Sequence, residues 1–211
     1  MRGIRKRYYN LFSYFYDPII KLHSLDKEGY LRGYMVKKAN INKEDRVLDL
    51  CTGTGSVAIE FSKSLAEKGV VVGVDFSRGM LKKAKKKAKI LMLKNVYFVE
   101  ANVADLPFKE GYFNAVICSH AFYELKEKER EKAIKEMYRT AQKGGRLLLM
   151  EHEVPQNIFL KFLFYFRIYA MGSKNAKIFL KDELSPFKLY FNEVTKEVTP
   201  SGRSKLILGY R

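Results

Sequence analysis

Three observations predict an α/β fold: a doubly wound, Rossmann-like, mostly parallel seven-stranded sheet with helices on both faces and a C-terminal antiparallel hairpin. First, strand and helix patterns alternate four times, and the strands are nearly continuous apolar runs such as Val70-Val-Val-Gly-Val74. Strands buried on both faces need that composition, whereas half-buried strands alternate. Second, the first strand runs directly into a glycine turn, Gly53-Thr-Gly55, and then into a helix pattern. Third, the segments 187–199 and 204–210 read as strands with no helix pattern between them, only Thr199-Pro-Ser-Gly202.

The elements follow in order. Residues 8–22 alternate aromatic and polar groups up to Asp17-Pro18, and 24–39 read as a helix. Strand one is 47–50, and its helix runs over about 56–68 to a stop at Lys68-Gly69. Strand two is 70–76. A helix over about 77–94 starts at Ser77, a suitable N-cap, and buries Met80, Ala84, Ala88 and Leu91. Its lysines 82, 83, 85, 86 and 87 form a solvated face without the interleaved aromatics of a single-strand binder. Strand three is 96–101 and strand four 113–119. A charged helix over about 126–141 is expected to end on Lys143-Gly-Gly145 as its C-cap, with strand five at 146–151. The segment 158–170 is aromatic almost all round, carries Lys161 and Arg167, and is too short to span a bilayer.

A length of 211 residues without internal repeat or Ser/Gly/Pro linker predicts one domain over 1–211. Within it, 1–40 is a helical arm or lid, 44–151 a cofactor-binding core, 154–186 an aromatic substrate-side insertion and 187–211 a strand pair. Forty Lys and Arg against 23 Asp and Glu leave a net charge of +17. That balance suits a polyanionic partner or the lysine-rich surface of a hot environment, and charge alone does not decide. Cys51 and Cys118 form neither a disulfide framework nor a metal-ligand spacing, so a reducing, cytoplasmic setting and no metal are expected. The N-terminus is basic and then aromatic, unlike a signal peptide.

The chemistry sits at the ends of the first strands. Glycine allows backbone to approach a ligand at unusual φ, a helix start offers free N–H groups, and an acid closing the next strand can accept both hydroxyls of a ribose. Gly53, Gly55 and Asp75 supply these parts, so an adenosine-type cofactor is predicted. Gly53-Thr-Gly-Ser-Val-Ala58 also matches a dinucleotide fingerprint that would serve NAD equally. Three features move the choice away from NAD. Asp49 suits a ligand's ammonium better than a pyrophosphate. The loop Ala101-Asn-Val-Ala-Asp-Leu-Pro-Phe108 puts small polar groups where an adenine edge would lie. A terminal hairpin stands where a second nucleotide-binding half would be.

Five segments, in order and spacing, carry a resemblance. They are Val47-Leu-Asp-Leu-Cys-Thr-Gly-Thr-Gly55, Val72-Gly-Val-Asp-Phe-Ser77, Ala104-Asp-Leu-Pro-Phe108, Phe113-Asn-Ala-Val116 and Lys143-Gly-Gly-Arg-Leu-Leu148. Over residues 44–151 the chain resembles the class I S-adenosylmethionine-dependent methyltransferases, in particular the ubiquinone/menaquinone-biosynthesis (UbiE-like) and methyltransferase type 11 group. The resemblance implies S-adenosyl-L-methionine as cofactor. It implies that Cys51, Gly53 and Gly55 cradle the methionine part, with Asp49 near its amino group through backbone or water. Asp75 would bind the ribose, Phe76 and Met80 flank adenine, and Asn102 and Val103 meet the adenine edge. Ser119 would line the site near the sulfonium, and Tyr16 cover the carboxylate. Asn102 and Asn114 stand where relatives usually have Asp, which implies re-tuned cofactor binding.

For the acceptor, His120 after strand four is the candidate general base, with a hydrogen-bonded pocket wall as the alternative. His152 reads more as a structural group, and His23 as a surface or packing residue. Tyr123 and Glu124 could orient a substrate or cap a helix. Cys118-Ser-His-Ala121 is not the Asn/Asp-Pro-Pro-aromatic tetrad of exocyclic-amine enzymes, and Cys118 has no proline neighbour, so nucleic acid is not the expected partner. Basic and aromatic residues in the arm and in 158–170 point to a small lipophilic acceptor, a quinone precursor or a phospholipid amine. They also suggest an anionic membrane surface as partner. The competing readings are a methyltransferase acting on RNA or another small molecule, a non-catalytic S-adenosylmethionine-binding module and an NAD-dependent oxidoreductase.

Overall fold

The computed structural model describes residues 29–170 and 180–211. The chain packs as two compact units, Met1–Val103 and Ala104–Arg211. The arm before residue 29, with Tyr16 and His23, lies outside the described residues.

In the first unit, helix α1 (Tyr30–Ala39) starts after Gly29 and ends on Asn40, both at positive φ. Strand β1 (Arg46–Leu50), helix α2 (Ser56–Ser64), strand β2 (Val70–Asp75), helix α3 (Arg78–Ile90) and strand β3 (Val96–Glu100) follow. The strands are parallel in the order β3-β2-β1, with Asp49 opposite Gly73 and Asp75 opposite Glu100. Every residue of β1 after Arg46 is buried, and every residue of β2 after Val70, as the unbroken apolar runs predict. The α3 stripe of Met80, Leu81, Ala84 and Ala88 is buried, and Ser77 Oγ accepts the Met80 N–H as the N-cap. Leu91, expected in that stripe, is 47% exposed because the helix has already ended. Lys82, Lys85 and Lys86 are solvated, while Lys87 turns back and donates to Thr54 Oγ1 at 2.8 Å.

In the second unit, strand β4 (Phe113–Ser119) leads to a 3-10 turn, Phe122–Glu124, then helix α4 (Glu127–Thr140) and strand β5 (Ala141–His152). Among the described residues, helix α5 (Ile158–Ala170), the short helix α6 (Ser185–Lys188) and strands β6 (Asn192–Val198) and β7 (Ser204–Tyr210) follow. The strand order is β4-β5-β7-β6, parallel for the first pair and antiparallel for the other two. Phe113, Ile117, Phe122, Ile134, Met137, Leu147, Phe187 and Ile207 form the buried core. Each such side chain stabilises the fold by roughly 1.5–3 kcal/mol.

Two further expectations need correction. Lys143-Gly144-Gly145 is not a helix C-cap: α4 ends at Thr140, and the glycines lie inside β5. There they form a bulge, with the register jumping between the Phe113–Ala141 and Ala115–Arg146 pairs. Gly144 has φ 70, and its N–H donates to Arg211 O, while Arg211 N–H donates to Gly145 O. A Cβ on Gly145 would lie 2.7 Å from Gln142 O. The second correction concerns 187–191, expected as strand. Pro186 sits in the first turn of α6, Phe187 is fully buried, and β6 starts only at Asn192.

Candidate functional site

The first unit gathers most of the expected cofactor residues at the carboxyl ends of its three parallel strands. β1 delivers Cys51 to Gly55, β2 ends in Asp75, and β3 leads into Asn102 and Val103. The two glycines of the turn have different jobs. Gly55 (φ 77) lets helix, strand and α3 meet, since a Cβ would lie 2.8 Å from Ala84 Cβ and from the Phe98 ring. Among the described residues, the hypothetical Cβ of Gly53 (φ 56) meets nothing nearer than Cys51 O at 4.0 Å. Such an uncovered backbone position beside a helix start is what close approach by a ligand needs.

Two buried acids hold this turn. Asp75, 6% exposed, accepts the Gly53 N–H at Oδ2 (2.9 Å) and the Ser77 N–H at Oδ1 (2.8 Å). Burial raises its pKa, and the Ser77 and Gly53 N–H groups oppose that rise. Asp49, 1% exposed, accepts the Thr52 hydroxyl at 2.6 Å, and burial pushes its pKa up to about 7. Buried this deeply, Asp49 braces the turn through Thr52. Gly73 makes room for that arrangement, because a Cβ there would lie 2.7 Å from Thr52 Oγ1. Cys51 is half-buried at φ 54. Phe76 is 36% exposed, Met80 is buried in the first turn of α3, Asn102 is half-buried and Val103 buried.

Ser119 and His120 belong to the second unit. His120 adopts φ 51 just after β4, with its N–H bound to Met150 O. Its Nδ1 lies 2.9 Å from Ser119 Oγ and its Nε2 3.1 Å from Ser204 Oγ. The His152 ring lies 4.4 Å away, centroid to centroid. His120 is therefore a half-buried imidazole fixed by two hydroxyls.

Behind it stands a polar cluster that sequence reasoning missed in part. Glu151 Oε1 accepts the N–H groups of Phe122 (2.6 Å) and Tyr123 (3.3 Å), and burial raises its pKa to about 8. Tyr123 was foreseen as an orienting or capping group, and its hydroxyl donates to Glu183 at 2.8 Å. Lys205 is fully buried and donates to Glu183 at 2.6 Å, with Glu153 at 3.8 Å. Lys205 before Leu-Ile-Leu and Glu151 after Leu-Leu-Leu-Met carry a sequence signal, charge beside an apolar run, and Glu183 in Lys181-Asp-Glu-Leu184 carries none. Among the described residues no group of three or more His, Cys, Asp or Glu could hold a metal ion.

The model of the ubiE/COQ5 methyltransferase family matches residues 5–191. The chain belongs to that family. It is 32% identical over 171 residues to the ubiquinone/menaquinone biosynthesis C-methyltransferase UbiE of Blochmanniella floridana. That match covers 81% of this chain, which spans 66% of the relative's length. Among solved structures, a SAM-dependent methyltransferase from Aquifex aeolicus superposes with a TM-score of 0.67 at 19% identity, over 90% of this chain and 96% of that one. Phosphoethanolamine N-methyltransferase 2 of Haemonchus contortus, in complex with S-adenosyl-L-methionine, gives 0.69 at 15% identity, over 86% and 52%. These likenesses show the fold, the doubly wound methyltransferase arrangement expected from the sequence.

Proposed function

We propose that this member of the ubiE/COQ5 family is an S-adenosylmethionine-dependent C-methyltransferase acting on a small lipophilic acceptor of the quinone-precursor class. One observation carries the cofactor half of this reading: the open backbone at Gly53 tied by a hydrogen bond to the carboxylate of Asp75. The Asp75 carboxylate receives the N–H groups of Ser77, Gly53 and Phe76, and with two lone pairs on each oxygen it keeps capacity for a ribose hydroxyl. Gly53, Gly55 and Cys51 would hold the amino-acid part, Phe76 and Met80 would flank the base, and Asn102 and Val103 would meet its edge. S-adenosylmethionine, when bound, supplies an electrophilic methyl for in-line displacement.

The rest falls to the chain's own residues: aligning the acceptor, excluding water and managing one proton. A quinol ring carbon becomes a good nucleophile when the neighbouring hydroxyl loses its proton, so a base is needed. His120 is the candidate, because its ring is fixed by Ser119 and Ser204 yet only half-buried. The relative named as a C-methyltransferase in ubiquinone/menaquinone biosynthesis supports carbon as the acceptor atom and a quinone precursor as the class.

Isothermal titration with S-adenosylhomocysteine tests the cofactor half, and its expected result is saturable heat that Asp75→Ala abolishes. Labelled methyl donor with separate lipid, RNA and protein extracts tests the acceptor, and label is expected in the quinone fraction. Heat without labelling of any extract would leave a binding module. Label in amine-headed phospholipid would replace carbon by nitrogen as acceptor.

A further inference from the structure

Helix α5 presents its apolar side outward. Ile158, Phe159, Phe162, Leu163, Phe166 and Tyr169 are between 44% and 85% exposed. At about 100° per residue these six occupy an arc of about 140°, and Leu160, 52% exposed, lies about 60° beyond it. Phe164, 9% exposed, lies on the opposite side of the helix, where it packs on Val154 and Leu180. The inner side is thus fixed to the protein by an aromatic anchor, and the larger apolar face points away from it.

Six large apolar side chains on one face exceed what scattered surface hydrophobics account for, and so mark a contact surface. The charges around the face narrow the partner. Residues 154–170 contain Lys161 and Arg167 and no carboxylate, within a chain of net charge +17. Lys161 is exposed and falls on the flank of the apolar arc, where a cation reaches lipid headgroups while its neighbours enter the acyl boundary. Thirteen residues make a helix of about 20 Å, shorter than the roughly 30 Å of a bilayer's hydrocarbon core, so α5 can lie on a membrane but not cross it.

We propose that the outward face of α5 docks this protein on an anionic lipid bilayer. This goes beyond the methyl-transfer reading and stands on the geometry of α5 alone. If that reading also holds, the face sets the protein on the phase in which a lipophilic acceptor is dissolved.

Co-sedimentation of the full chain with vesicles of phosphatidylglycerol and phosphatidylcholine tests it, with pure phosphatidylcholine vesicles as the comparison. The protein is expected to pellet with the anionic vesicles at low salt, less at high salt, and little with the neutral ones. The double variant F162E/F166E is expected to lose roughly tenfold or more of that binding. Because both positions are exposed, its melting temperature and its heat with S-adenosylhomocysteine should stay those of the parent. Failure of the parent to pellet, or equal binding by the variant, overturns the proposal. So does a lower melting temperature in the variant, which would mean that another segment of this chain covers the face. A parent dimer that the variant converts to monomer overturns it too, making the face a subunit contact. Absent heat with S-adenosylhomocysteine in the parent would count against the methyl-transfer reading and leave the vesicle result standing.

Discussion

The N–H of Gly53 donates to Oδ2 of Asp75 at 2.9 Å, joining the turn after β1 to the end of β2 across 22 residues. Asp75 is thus a structural acceptor and the proposed ribose ligand at once. Asp75→Ala leaves the buried N–H of Ser77 and the half-buried N–H of Gly53 without their acceptor. It is expected to cost about 2–4 kcal/mol of stability and all measurable S-adenosylhomocysteine binding. Asp75→Asn keeps a carbonyl for one N–H and should lose binding at a smaller cost. Urea denaturation and calorimetry on both variants separate the roles.

The two turn glycines should respond oppositely. Gly55→Ala forces a Cβ to within 2.8 Å of Ala84 and Phe98 at φ 77, and about 2–4 kcal/mol of destabilisation is expected. Gly53→Ala meets no clash among the described residues, so the cost expected is that of a positive φ, about 1–2 kcal/mol. Its added methyl would, however, sit in the space proposed for the ligand, so cofactor affinity should drop roughly tenfold or more. Stability lost mainly at Gly55 and affinity lost mainly at Gly53 is the expected pair of results.

What was legible in the sequence was local. β4 spans 113–119 as read, and β1, β2 and β3 differ by one residue, because unbroken apolar runs and glycine stops leave little choice. Gly53, Gly55 and Asp75 were legible as one turn for the same reason: they come together within one β-α-β stretch. Residues whose partners are remote in sequence were not. Ser204 meets His120 across 84 positions, and Glu183 meets Tyr123 across 60. No periodicity encodes such pairs. Gly144 and Gly145 were misread because a helix stop and a strand bulge use the same residue; only pairing with Arg211 distinguishes them.

Stability should fall with rising pH through two buried acids. Glu151 has its pKa raised to about 8 and Asp49 to about 7, both by burial. The folded chain therefore holds protons that the unfolded chain releases near its ordinary carboxyl pKa of about 4. Between about pH 4 and the raised values each group lowers stability as pH rises, by at most about 1.4 kcal/mol per pH unit, and levels off above them. Glu151→Gln mimics the neutral acid and removes its share of that slope. Urea midpoints at pH 5, 7 and 9, set by that window, should converge for the variant relative to the parent. An unchanged slope would show that Glu151 is ionised in the fold.

The buried pair Lys205–Glu183 yields the strongest contrast between single and double variants. Lys205 has no exposure and Glu183 5%, and their contact is 2.6 Å. Removing either alone strands the other away from water. Lys205→Met and Glu183→Leu are each expected to cost about 3–5 kcal/mol, whereas the double variant should recover most of that, since two apolar chains need no partner. Glu183→Leu also deprives the Tyr123 hydroxyl of its acceptor at 2.8 Å, so Tyr123→Phe should cost less in that background than in the parent. Denaturation of the cycle measures both couplings. Strictly additive losses would mean that the pair is no pair, and that Glu153, 3.8 Å from Lys205, takes over as its partner.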